Sequence, residues 1–220
     1  KKNKIFIIED AAQSLGSFYS DGQHIGTKGI IGSFSFSSQK IITTGQGGAL
    51  ITNSDRLASK IRKLKDFGRS SGGNDVHNSI GFNFKFTELQ SCIGLVQLKK
   101  LQTRVKIKKR IWKKYYKNLK NIDDIKLINH DLRFTAPWFI DAICKKRNKL
   151  KKFLLNNNIG SRNMYPPLNR QKAYKLKGSF PVSEKVGRNG LWLPSSSQLT
   201  DFEIDYICSK IKEFYNKSDL

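Results

Sequence analysis

The chain has 220 residues, 38% hydrophobic and 11% aromatic, with 41 Lys and Arg against 17 Asp and Glu for a formal net charge of +24. That apolar content suffices for one large domain or two ordinary ones and excludes a globally disordered chain. No window approaches the roughly 18 apolar residues of a membrane span, and the apolar run after the basic start KKNK is too short for a signal peptide.

In chain order, Ile5 to Ile8 is a continuous apolar run and predicts a buried strand of a parallel sheet, with Glu9 and Asp10 at its C-terminal end. Gly32 to Phe36 alternates as a strand, and Ala49 to Thr52 forms another. Asn53, Ser54 and Asp55 offer N-caps to a helix running to Lys65. Gly68 to Asn78 is a polar, glycine-rich loop. A long, kinked helix is predicted from Thr87 to about Lys120, with Leu98, Leu101, Val105, Trp112 and Leu119 along its apolar stripe.

The densest basic run, KIKKRIWKKYYKNLK (Lys106 to Lys120), carries Ile111, Tyr115 and Leu119 at helical spacing. It reads as an amphipathic helix with a wet basic face. Lysine outnumbers arginine and is spread over the whole chain, so a genome-wide residue bias explains the charge better than a nucleic-acid site does. Past Asn121, Ile125 to Ile128 and Trp138 to Ile143 read as strands, and Arg147 to Leu155 as a helix. The last helix starts at a capping box, Thr200 with Glu203, and shows Ile204, Ile207, Ile211 and Phe214 on one face. The pattern is α/β, with a boundary inside or just after the long helix.

Cys92, Cys144 and Cys208 are odd in number, far apart and in apolar settings, which gives neither a disulfide framework nor zinc-ligand spacing. With His24, His77 and His130 equally scattered, no metal site is expected, and a reduced, cytoplasmic compartment fits. The one methionine is Met164, and strand residues begin at Ile5; the sequence reads as the C-terminal part of a longer protein.

Two positions invite chemistry. Asp10, just past a strand and before Ala11 and Ala12, sits where open α/β sheets bind ligands. Read alone, it is more readily a helix N-cap, with Gln13 as its capping-box partner. Lys40 lies between SFSFSSQ and TTGQGG, where Ser33, Ser35, Ser37, Thr43 and Thr44 offer hydroxyls to an anion and Gly45, Gly47 and Gly48 permit a tight turn. An amine beside an anion site suggests Schiff-base chemistry, because lysine becomes nucleophilic once its pKa is lowered. Read alone, it is more readily a surface lysine in a hairpin. The glycine and lysine order is not that of a Walker motif.

Three ordered stretches, EDAAQSLG (9–16), SFSFSSQKIITTGQGG (33–48) and IGFNFKFTELQSCIGLVQL (80–98), resemble the DegT/DnrJ/EryC1/StrS family of sugar aminotransferases. SRNMYPPL (161–168) and LPSSSQLTDFEI (193–204) support the match, and perosamine-synthase-like members are most similar. The resemblance implies a pyridoxal 5′-phosphate (PLP) transferase of fold type I. Residues 1–105 would be the remaining part of its large PLP-binding domain and 106–220 a small C-terminal α/β domain. It implies that Lys40 forms the internal aldimine, Asp10 pairs the pyridine nitrogen, Gln13 bonds the phenolic oxygen and Ser35 binds the phosphate. Asn83 would reach the phosphate from the other subunit of a homodimer, placing active sites at the interface.

The implied reaction passes an amino group, from L-glutamate, to a keto group of a nucleotide-linked deoxysugar such as a 4-keto-6-deoxyhexose, in polysaccharide (O-antigen) biosynthesis. Sugar dehydratases and aminocyclitol aminotransferases of the same fold are alternatives, as are an inactive fragment or a basic nucleic-acid-binding module. Lys40 speaks against the dehydratases, which replace that lysine. The chain departs from the family pattern at Gln39 (commonly Asn), Gln46 (Glu), Lys85 (Arg) and Asn169 (His), positions that bear on substrate and rate more than on reaction class.

Overall fold

Strand β2 (Ile31–Ser35) is the centre of a three-stranded sheet. In this computed structural model, which describes residues 5–70, 74–174 and 177–216, the chain divides into two units. Residues 1–105 with 133–136 form the first, and 106–132 with 137–220 the second. Part of the predicted 68–78 loop, residues 71–73, lies outside the described residues, as does the basic start.

In the first unit β1 (Ile8–Asp10) pairs parallel to β2, setting Asp10 opposite Ser33. Strand β3 (Gly48–Ile51) pairs antiparallel, setting Gly48 opposite Ser35. The sequence IGSFS alternates because Gly32 and Phe34 turn inward while the serines stay half-buried. The expectation of a buried strand at Ile5 to Ile8 needs correcting: the strand starts only at Ile8, and these four side chains are 62–77% exposed. β1 is an edge strand with β2 on one side and, among the described residues, no strand on the other, and a run suited to burial on both faces is left uncovered.

The 16–30 segment folds back on β1 through Glu9, whose carboxylate accepts from the Tyr19 hydroxyl, from the Gly26 N–H at 2.8 Å and from the Gly29 N–H. Gly26 has φ +99°, and a Cβ there would stand 2.7 Å from the Phe34 ring, so the position needs glycine on both counts.

Helix α1 (Asp55–Lys65) is capped by Ser54, as its sequence predicts. The predicted long helix is two helices, α2 (Glu88–Lys99) and α3 (Leu101–Leu119). They separate at Lys100, whose N–H bonds to the Gln97 and Leu98 carbonyls. Thr87 and Gln90 close a capping box at the start of α2. No residue of α2 is buried, and Leu98, expected in the apolar stripe, is 53% exposed.

The second unit holds a four-stranded antiparallel sheet ordered β4-β5-β7-β6, from Ile125–Leu127, Ile140–Cys144, Gly190–Leu193 and Arg162–Asn163. β5 starts two residues later than predicted, because Trp138 and Phe139 stack on each other ahead of it, 4.0 Å between ring centroids. Helices α4 (Arg147–Asn156) and α5 (Pro181–Asn189) pack against β5 and β7. Neither α5 nor β7 was predicted. The apolar run of β7 is only four residues long, and its complete burial comes from its neighbours.

Ile111, Tyr115 and Leu119 of α3 enter the core beside Leu150 and Leu154 of α4 and Ile204, Ile207 and Ile211 of α6 (Asp201–Asn216). The capping box that opens α6 is present: the Glu203 carboxylate accepts from the Thr200 N–H at 2.7 Å, and the Thr200 hydroxyl accepts from the Glu203 N–H at 3.2 Å. Two core tyrosines donate to backbone oxygens, Tyr115 to Pro194 at 3.0 Å and Tyr215 to Lys145 at 2.9 Å. The three cysteines are free, with Cys144 and Cys208 buried. Among the described residues no helix is long and apolar enough to cross a membrane, and no acidic, His or Cys cluster could hold a metal.

Candidate active site

The first unit gathers most of the chemistry-bearing side chains at the C-terminal end of β1. Asp10 ends that strand, and its register with Ser33 puts Asp10, Ser33 and Ser35 on one face of the sheet. Its carboxylate accepts from the Ala12 N–H at 3.0 Å, closing a turn; the residues that follow form no helix, so the N-cap reading does not hold. Ala11 continues the pairing, donating to the Ser33 carbonyl at 2.9 Å, and is fully buried. Gln13 is exposed, the residue directly after the turn's Ala12 amide.

Ser35 ends β2. Its hydroxyl lies 3.4 Å from both the Ser37 hydroxyl and the Ser37 N–H, so two hydroxyls and an amide share one small region. The Lys40 N–H then bonds to the Ser37 carbonyl at 3.0 Å, making the tight turn that carries the lysine. Burial pushes the half-buried Lys40 amine below the ordinary lysine value, and the Asp10 charge pulls it partly back. The Asp10 charge thus acts on Lys40.

The hydroxyls of Thr43 and Thr44 do something other than meet an anion. Thr43 donates to the Phe36 carbonyl at 3.1 Å and accepts from the Gly45 N–H; Thr44, buried, donates to the Gln46 carbonyl at 2.8 Å. Both are used up in holding the turn, a correction to the sequence reading. From outside the turn, Gln90 donates to the Gln46 carbonyl at 3.0 Å and Arg104 to the Ile41 carbonyl at 2.9 Å.

Asn83 sits exposed on a separate segment, bridged to Asp66. Asp66 is held by Arg69 at 2.6 Å and Lys85 at 3.3 Å. Two of the departures, Lys85 and Asn169, have visible partners: Lys85 makes a single-point contact where an arginine could make two. In the second unit Asn169 donates to Glu184 at 3.0 Å.

Sequence reasoning passed over Glu9, Arg104 and His24. His24 accepts from the Gly16 N–H at 2.9 Å through Nε2, while Nδ1 faces the Ile25 carbonyl, an arrangement that requires the Nδ1–H tautomer. Glu9 and Arg104 act through contacts with distant segments, whereas the His24 hydrogen bonds lie within eight residues; only the acidic pair Glu9-Asp10 left any local signal.

A model of the DegT/DnrJ/EryC1/StrS aminotransferase family matches residues 1–212. The chain is 32% identical over 220 residues to GDP-perosamine synthase of Escherichia coli O157:H7, covering 98% of this chain and 60% of that protein. Among solved structures it is similar to a DegT/DnrJ/EryC1/StrS aminotransferase from Brucella abortus, at 31% identity and TM-score 0.88 over 97% of this chain and 58% of that one. It is also similar to the PLP form of the sugar aminotransferase Spr1654 of Streptococcus pneumoniae, at 25% identity and TM-score 0.88 over 98% and 59%. The chain spans about 60% of the length of the curated relatives it matches.

Proposed function

The chain belongs to the DegT/DnrJ/EryC1/StrS aminotransferase family, and we propose that it works as a PLP-dependent aminotransferase on a nucleotide sugar. It moves an amino group, from L-glutamate, to a keto group of a nucleotide-linked deoxysugar of the 4-keto-6-deoxyhexose type. The observation that carries this reading is the β1–β2 register, which sets Asp10, Ser33 and Ser35 on one face of the sheet ahead of the Ser37–Lys40 turn, where the Asp10 charge acts on the lysine. PLP-form relatives of the same fold imply the cofactor, and the donor set fits it: a carboxylate for a cationic ring nitrogen, an amine for an aldehyde, and hydroxyls with an amide for a phosphate.

When bound, PLP supplies an aldehyde that captures amines and a ring that takes up electrons. Asp10 would hold the ring nitrogen's proton and the Gln13 amide the ring oxygen, and Ser35, with the Ser37 amide beside it, would hold the phosphate. Lys40 would be the amine that anchors the cofactor at its aldehyde carbon and, once released, the base that moves the donor's proton. Asn83 reaches the phosphate of a partner subunit, so the working form is a homodimer. In this reading the first unit is the remaining part of the large cofactor domain, and the second unit is the small C-terminal domain.

The test is absorbance of the PLP-reconstituted, naturally made protein. Wild type shows the visible band of bound cofactor; Lys40→Ala loses the band and several orders of magnitude of amino transfer. A wild type without the band, or a variant that keeps both band and activity, overturns the assignment. A deoxygenated sugar product in place of an aminated one moves the protein to the dehydratases.

A further inference from the structure

Arg104 stands in the first turn of α3, half-buried, and aims its guanidinium at the residue after Lys40. Its Nη1 donates to the Ile41 carbonyl at 2.9 Å, across 63 residues of sequence. A charged donor makes a shorter and stronger hydrogen bond than a neutral one. Here that strength is directed at a backbone oxygen rather than at a carboxylate.

The rest of the turn shows why this contact matters. On the glycine side, the turn is tied by its own threonines and by Gln90. Thr44 is also bonded through its backbone N–H to the Phe36 carbonyl at 2.9 Å. On the lysine side, Lys40 bonds back to Ser37, Ile42 is buried, and Arg104 reaches in from α3 to grip the carbonyl of the Ile41–Ile42 peptide. A backbone rotation at Ile41, the residue that follows Lys40, would carry the long lysine side chain through several ångströms at its tip, whereas catalysis tolerates displacements of about 1 Å or less.

Resting on the function proposed above, we infer that Arg104 is a positioning residue for Lys40. Its guanidinium clamps the Ile41 carbonyl, fixes the Ile41–Ile42 peptide directly after the lysine, and so holds the backbone from which the amine reaches toward Asp10 and Ser35. Lysine at 104 keeps the charge and one donor, but lacks the planar fork that locks direction. Methionine keeps the bulk and gives up the bond.

The experiment compares wild type, Arg104→Met, Arg104→Lys and Lys40→Ala in the naturally made protein. Amide hydrogen exchange is followed without cofactor, and the pH midpoint of the visible band is followed with it. Arg104→Met speeds exchange at residues 38–44 and leaves the second unit unchanged. It also shifts the band's pH midpoint and slows turnover with L-glutamate about 10- to 100-fold, while KM changes little. Arg104→Lys recovers part of each effect.

If both Arg104 variants keep wild-type exchange and band midpoint while wild type shows the band and Lys40→Ala loses it, this inference fails and the proposed function stands. A wild type lacking the band sinks both. Should Arg104→Met not fold, Arg104→Lys decides: an unmoved midpoint overturns the role.

Discussion

Lys40 sits under two opposed influences, loss of water, which favours the neutral amine, and the Asp10 charge, which favours the ammonium; water loss is the larger. A lysine whose pKa is lower folded than unfolded is a liability while it is charged. The penalty holds below the folded value and is relieved as pH climbs from there to the ordinary 10.5. Without cofactor, Lys40→Met is therefore expected to unfold at a higher temperature than wild type at neutral pH. The gap should narrow as pH approaches 10.5, read by calorimetry across that range.

Glu9 shows the opposite sign. Burial alone would raise its carboxyl, but hydrogen bonds from Tyr19 and from the Gly29, Gly26 and Lys28 amides hold it below 4.5. Its support is present at neutral pH and fades as acid takes the pH through that lowered value. Asp10 and Lys40 stood out in the sequence because strand ends and glycine turns are local patterns. Glu9 and Arg104 did not, because their partners lie 17 and 63 residues away. The threonines at 43 and 44 were misread for a related reason: composition shows that hydroxyls are present, not which oxygen they meet.

At the level of elements, the local signals that held were end signals. Ser54, Thr87 and Thr200 each cap where the sequence puts them, since a cap and its amide partner are two or three residues apart. Burial was less legible, because a helix or strand does not encode what lies across from it. α4 makes the point: Leu154 is fully buried between the sheet and α6, while its neighbour Leu155 is 64% exposed. Leu154→Ala should cost about 2–5 kcal/mol in urea denaturation, whereas Leu155→Ala should stay within about 0.5 kcal/mol. Equal losses at both positions would contradict the packing. On α3 the face opposite the core carries Lys106, Lys109, Lys113 and Lys117, with Arg110 and Lys114 leaning on Asp201 and Asp205. The wet basic helix expected from KIKKRIWKKYYKNLK is what the structure contains.

Across the whole molecule, the two units differ in how far they bury their own apolar residues. The second encloses a continuous core. The first leaves Ile5 to Ile8, Leu89, Leu95 and Val96 largely open. On the proposed reading, part of that surface faces another subunit, and Asn83 goes with it. Mixing inactive Lys40→Ala with inactive Asn83→Ala tests this. Mixed dimers then carry one site with both residues intact, and random reassortment restores about a quarter of wild-type activity. A mixture as dead as its components would place Asn83 in its own subunit's site or in none.

The two phenols that donate to the Pro194 and Lys145 carbonyls give the second unit a colour of its own. Burial holds Tyr115 and Tyr215 protonated far above the ordinary value of 10.0. Their contribution to stability is complete below that value and lost as pH rises above it. In alkali these two ionise only when their unit opens. Phenolate absorbance thus becomes a gauge of whether that unit is closed, with no label attached.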